Sequence, residues 1–153
     1  MQEESLDEAA HLDSITEIII AAAIQVHRTL GPGMLESAYK AALAFELVSR
    51  GLSVQCEVSL PLTYRGVQLN CGYRIDMLVN ALVVVEVKAI ERLERVHSAQ
   101  LLSYLRMMRL KVGLLINFNV PLLRLGIKRV VNGFPFKTLS ADSADSAFDS
   151  VNE

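Results

Sequence analysis

The segment YRIDMLVNALVVVEVKAI, residues 73–90, constrains the fold more than any other stretch of the chain. Its valines and leucines describe a buried pair of strands, yet it carries Asp76, Glu86 and Lys88. A buried charge without a partner is expensive, so such residues in an apolar strand have an ionic partner, a metal or a chemical task. Side chains alternate along a strand, which puts Glu86 and Lys88 on one face and Val85 and Val87 on the other. Whether Asp76 joins them depends on the turn. A two-residue turn at Asn80 and Ala81 would pair Val79 with Leu82 and set Asp76 opposite Val85. A three-residue loop over residues 80–82 sets Asp76 opposite Glu86, on the same face. The sequence predicts an odd-length loop or a bulge.

Two carboxylates and an ammonium on one face allow two readings. One is a structural salt bridge of Lys88 with Glu86 or Asp76. The other is a site for a hard cation such as Mg²⁺, which takes carboxylate oxygens, keeps several waters and also accepts phosphate oxygens. In that case Lys88 can orient a water and stabilise developing charge.

Around this pair the chain reads as one domain. Residues 1–12 are polar and acidic and are expected to be disordered. Asp13 or Ser14 can cap a helix, with Glu17 completing a capping box. Apolar residues from Ile15 to Leu30 keep helical spacing until GPG, residues 31–33, ends it. A second helix is predicted from about Leu35 to Arg50, with Gly51 after it. Strands follow over 53–64, the segment from 67 and the segment to 89, then a helix from about Arg92 to Arg109. Strands over 111–119 and 126–131 complete the domain, which spans 13–139. Residues 140–153, acidic and rich in small residues, are expected to be a disordered tail. A helix between the third and fourth strands permits a parallel crossover in an otherwise antiparallel sheet. The expected class is α/β, a mixed sheet flanked by helices.

The formal net charge of −2 conceals an asymmetry. Nine of the 17 acids lie outside residues 14–139, while all 15 Lys and Arg lie inside, so that core carries 15 basic against eight acidic groups, a formal +7. Such a core suits a polyanionic partner, nucleic acid above all. The apolar run IIIAAAI, residues 18–24, is too short to span a bilayer, and no leader pattern precedes it. Cys56 and Cys71 fit no metal spacing and read as reduced core thiols, which makes the cytoplasm the expected compartment and a membrane partner unexpected.

Five blocks carry a family resemblance: GMLESAY at Gly33–Tyr39, then YRIDMLV, VVEVKAI, VHSAQLLSYL and GLLINFNVPLL. Their order and content resemble a family of small bacterial proteins bearing the GxxExxY signature, over about residues 14–132. That family is placed in the PD-(D/E)XK nuclease superfamily, which implies a restriction-endonuclease-like αβββαβ core, with an extra N-terminal helix in this chain. The resemblance implies Asp76 as the "D" and Glu86-Val87-Lys88 as the "ExK". Ile75 stands where the pattern has Pro. Asp76, Glu86 and the Val87 carbonyl would then bind Mg²⁺ or Mn²⁺, Lys88 would position the water, and Glu36 would add a carboxylate. Gln100 would support the water or a phosphate. Arg74, Tyr104 and Tyr39 are the candidate nucleic-acid contacts, Arg74 because it is two residues from Asp76 on a strand. The implied activity is metal-dependent hydrolysis of nucleic acid, DNA ahead of RNA, with a homodimer as one means of gripping both strands. The alternative is a silent nuclease-fold module that binds nucleic acid or a protein partner.

Overall fold

In the structure, a computed structural model that describes residues 1–133, the chain runs through α1 (Gln2–Leu30), α2 (Glu36–Ser49), β1 (Val54–Tyr64), β2 (Val67–Val79) and β3 (Val83–Lys88). It continues through α3 (Arg95–Met108), β4 (Val112–Asn117), a 3₁₀ turn (Leu123–Leu125) and β5 (Ile127–Val131). The expected acidic tail lies outside the described residues. The five strands form one sheet in the order β1-β2-β3-β4-β5. Only β3 and β4 run parallel, joined by α3, and every other neighbouring pair is antiparallel. This is the mixed sheet and the αβββαβ order expected, with α1 before it and β5 after it.

Helices cover both faces. Ile15, Ile19, Ala22, Ala23 and Val26 of α1 and Tyr39, Leu43 and Leu47 of α2 pack on Val83, Val85, Val87, Leu114 and Ile116. On the other face Leu101, Tyr104 and Leu105 of α3 meet Leu78, Val84, Leu115 and Val130. Helix α3 comes close to the sheet at Gly113, where a Cβ would lie 2.9 Å from Leu101 Cδ1 and the leucine would have to shift. Because β3 and β4 lie between two helical layers, both read as apolar runs rather than as alternating strands. By length and composition α1 is apolar enough to cross a bilayer. In the fold its apolar stripe is the core of one face.

Two expectations are corrected. Helix α1 starts at Gln2, not at Asp13 or Ser14, so residues 2–12 are helical. Ser14 Oγ donates to the His11 carbonyl one turn back instead of capping an N-terminus, and Glu8–Lys111 and Asp13–Arg129 ion pairs, both at 2.7 Å, tie the exposed turns to the domain. Cys56 and Cys71 are exposed, not core. Cys56 lies on β1, the edge strand of the sheet, and Cys71 on the distal half of β2. Both strands run past the six residues of β3, and among the described residues no third strand flanks their distal halves, where Tyr64, Val67 and Leu69 are exposed as well.

Candidate active site

The β2–β3 hairpin sets the geometry. Val79 pairs with Val83, leaving a three-residue loop, residues 80–82, with Asn80 and Ala81 in the left-handed region at φ 51° and 55°. Asn80 anchors the loop to the start of β1, its Oδ1 accepting from the Ser53 N–H at 2.8 Å. The register is therefore the one that faces Asp76 towards Glu86.

The ladder holds for Val79/Val83, Leu78/Val84 and Met77/Val85 and then stops. At the next position side chains replace backbone partners. The Asp76 N–H donates to Glu86 Oε1 at 3.0 Å, and the Val87 N–H donates to Asp76 Oδ2 at 2.8 Å. The strands part where the carboxylates stand, and each carboxylate is fixed by the opposite strand. On an extended strand the N–H and C=O of a residue point to the same side, so the Val87 carbonyl faces this opening too.

Glu86 is 7% exposed and Asp76 has a side chain 13% exposed. Burial pushes the Glu86 carboxyl up from about 4.5 to about 8, reinforced by the negative charge of Asp76 and opposed by the Asp76 N–H and the Lys88 charge. Two acids this close, with so little water, require a cation or a proton.

Lys88 closes β3, half-buried and paired in register with Asn117 of β4. Asn117 is itself 1% exposed. Its Oδ1 accepts from the Ile90 N–H at 3.0 Å, and its Nδ2 donates to the Ile90 carbonyl at 2.9 Å. The chain leaving β3 is thus clamped two residues beyond Lys88.

From the opposite layer α3 presents Tyr104 and Gln100. Tyr104 meets Tyr73 edge-on at 6.1 Å. Burial first, and then the Glu86 charge, raise its hydroxyl pKa, while a hydrogen bond with Gln100 lowers it. At 6% exposed, Tyr104 is a wall of the site rather than an open nucleic-acid contact, whereas Gln100 is exposed. Tyr39, another expected nucleic-acid contact, is fully buried. It stacks on Phe118 with centroids 4.5 Å apart, donates to the Gly31 carbonyl and accepts from the Met34 N–H, so it pins the GPG turn against the core. Arg74 is exposed on β2 opposite Ser59. Ile75 and Leu78 both pack on the α3 side while Met77 packs on the other, so the regular alternation that would set Arg74 beside Asp76 is broken between Ile75 and Met77. His27 bonds the Val120 carbonyl at 2.8 Å, and His97 Nδ1 accepts the Glu94 N–H at the start of α3.

Glu36, the first residue of α2, does not join Asp76 and Glu86 as a third ligand. Its Oε2 lies 3.8 Å from Lys40 Nζ, and Lys40 reaches Asp76 Oδ1 at 3.3 Å and Glu57 Oε1 at 2.9 Å. Among the described residues no three His, Cys, Asp or Glu side chains are grouped to hold a metal. Sequence reasoning missed Lys40 and Glu57. One turn after Glu36, Lys40 reads as half of a surface i,i+4 pair, and nothing in residue type announces Glu57. The hydrogen bond to Glu57 holds the Lys40 ammonium above the usual lysine range, burial opposes this, and the Asp76 charge adds to it.

The donor set is all hard oxygen: Asp76, Glu86 and the Val87 carbonyl. Mg²⁺ is commonly held by one or two carboxylates, with waters and phosphate oxygens completing its shell, so these residues fit a divalent ion without a third acid.

A mixed five-stranded sheet between helices, with this acid pair at its centre, is an α/β fold of the nuclease type. A model of the PD-(D/E)XK nuclease superfamily matches residues 13–130, which include every residue of the site, and the chain belongs to that superfamily. No curated protein and no solved structure matches it.

Proposed function

We propose that the protein is a metal-dependent nuclease that hydrolyses phosphodiester bonds in nucleic acid, DNA in first place. The observation that carries this reading is the cross-bonded Asp76–Glu86 pair, with Lys88 closing the same strand. Asp76, Glu86 and the Val87 carbonyl would hold Mg²⁺ or Mn²⁺, which when bound supplies Lewis-acid charge to a phosphodiester. Lys88 has only donors to offer. It orients a water through a lone pair and stabilises the charge that develops on the phosphoryl oxygens. Gln100 can both donate and accept, which suits it to bridge that water and a phosphate. The buried wall around Tyr104 lowers the local dielectric and strengthens each of these interactions.

The test is cleavage of labelled DNA by wild type, Glu86→Ala and Lys88→Ala, with DNA binding followed by fluorescence anisotropy in EDTA. Loss of cutting with binding retained is expected. Unchanged cutting in both variants contradicts the reading. One observation favours a second reading, a nuclease-fold module that binds without cutting: the Lys40 ammonium already pairs with Asp76. Under that reading DNA binds, and no metal-dependent product forms.

A further inference from the structure

Lys40 and Glu57 form an arrangement that the proposed chemistry does not use. Asp76 Oδ2 accepts the Val87 N–H, and Lys40 Nζ lies 3.3 Å from the other carboxylate oxygen, Oδ1. The same ammonium is closer to Glu57, at 2.9 Å, and Glu36 stands third at 3.8 Å. Glu57 sits at φ 53°, in the left-handed region that a glutamate rarely adopts. It lies between the Cys56/Met77 and Val58/Ile75 pairs, where the β1–β2 ladder skips Glu57 and Asp76. The backbone of β1 thus departs from regular strand geometry at Glu57, whose carboxylate reaches Lys40. Side-chain exposure rises from 13% at Asp76 to 24% at Lys40 and 45% at Glu57, so the cluster leads from the buried acid outward to solvent.

We propose that Lys40 is a built-in counter-cation of the site, which competes with a divalent ion for Asp76 Oδ1 and is received by Glu57 when that ion binds. This rests on the metal-dependent reading above. An ammonium and a divalent ion cannot share one carboxylate oxygen in a half-buried site without strong repulsion. Glu57 holds the lysine at the shorter distance and in the wetter position, so moving there relieves the conflict while keeping the lysine paired. Glu57 thus acts as a positioning residue through Lys40.

The experiment is calorimetric titration with MnCl₂ at low ionic strength of wild type, Lys40→Met, Lys40→Arg, Glu57→Gln and the Lys40→Met/Glu57→Gln double variant, with melting curves confirming folded protein. Lys40→Gln replaces Lys40→Met if the latter melts below the assay temperature. Lys40→Met should bind Mn²⁺ about fivefold more tightly, the factor that an ion pair of this exposure can supply, and Lys40→Arg should match wild type. Glu57→Gln should bind more weakly, because its lysine rests on Asp76, and the double variant should match Lys40→Met alone. Unchanged or weaker binding in Lys40→Met overturns the proposal, as does a Glu57→Gln weakening that persists without Lys40. Absence of Mn²⁺ binding in every form contradicts the metal-dependent reading itself, and the proposal with it.

Discussion

Glu86 is held where its proton is favoured: burial and the neighbouring Asp76 raise its carboxyl from about 4.5 to about 8. A folded-state pKa above the unfolded value means that the folded chain binds the proton more tightly. The contribution of this group to stability is then fully present below about pH 4.5 and is lost as pH rises through about 8. In EDTA, wild type should lose stability relative to Glu86→Gln over that window, as read by urea denaturation at successive pH values. A pH-independent difference between the two would contradict the assignment. At this scale Asp76, Glu86 and Lys88 were legible as candidates, because charge in an apolar strand has few explanations; alternation relates Glu86 to Lys88, and the hairpin register brings Asp76 opposite Glu86. Lys40 and Glu57 were not, since the positive φ of Glu57 and the reach of Lys40 across to β1 are tertiary facts. Tyr39 was ambiguous for a simpler reason: an aromatic residue on a helix serves a core or a ligand equally well, and only burial separates the two.

Among the elements, the hairpin and the exit of β3 matter most. The three-residue loop followed from asking which register brings Asp76 to Glu86, and the observed pairing of Val79 with Val83 is that register. The clamp at Asn117 left no such trace, because an asparagine ending an apolar strand looks like the beginning of a turn. Asn117→Ala would leave the Ile90 N–H and carbonyl without their side-chain partner in a part-buried site. A loss of about 2 kcal/mol in unfolding free energy is expected, with a fall in kcat because Lys88 loses its anchor. Wild-type stability would show that the clamp is dispensable. The early start of α1 was hidden by a sequence that imitates a cap: Ser14 with Glu17 has the capping-box spacing, but Glu, Ala and Leu before it are good helix formers and the helix continues through.

For the molecule as a whole, the charge asymmetry was visible in the sequence, and the layered sheet followed from the order of the predicted elements. What composition could not give was the ribbon of β1 and β2 beyond the sheet, since its alternating pattern is the same whether or not a third strand lies alongside. A core of formal +7 should bind DNA with an affinity that falls as salt rises. If Arg74 contacts a phosphate, Arg74→Gln lowers the slope of log affinity against log salt by about 1. An unchanged slope removes Arg74 from the interface. The proposed metal-dependent phosphodiesterase site of Asp76, Glu86 and Lys88 is probed by incubating wild type and Asp76→Asn with labelled single-stranded, duplex and branched DNA and with RNA, each in Mg²⁺, Mn²⁺ or EDTA. Wild type should cleave at least one DNA form in Mg²⁺ or Mn²⁺, with no cleavage in EDTA and none by Asp76→Asn. Cleavage that survives EDTA or the substitution, or no cleavage of any substrate, would contradict the proposed site.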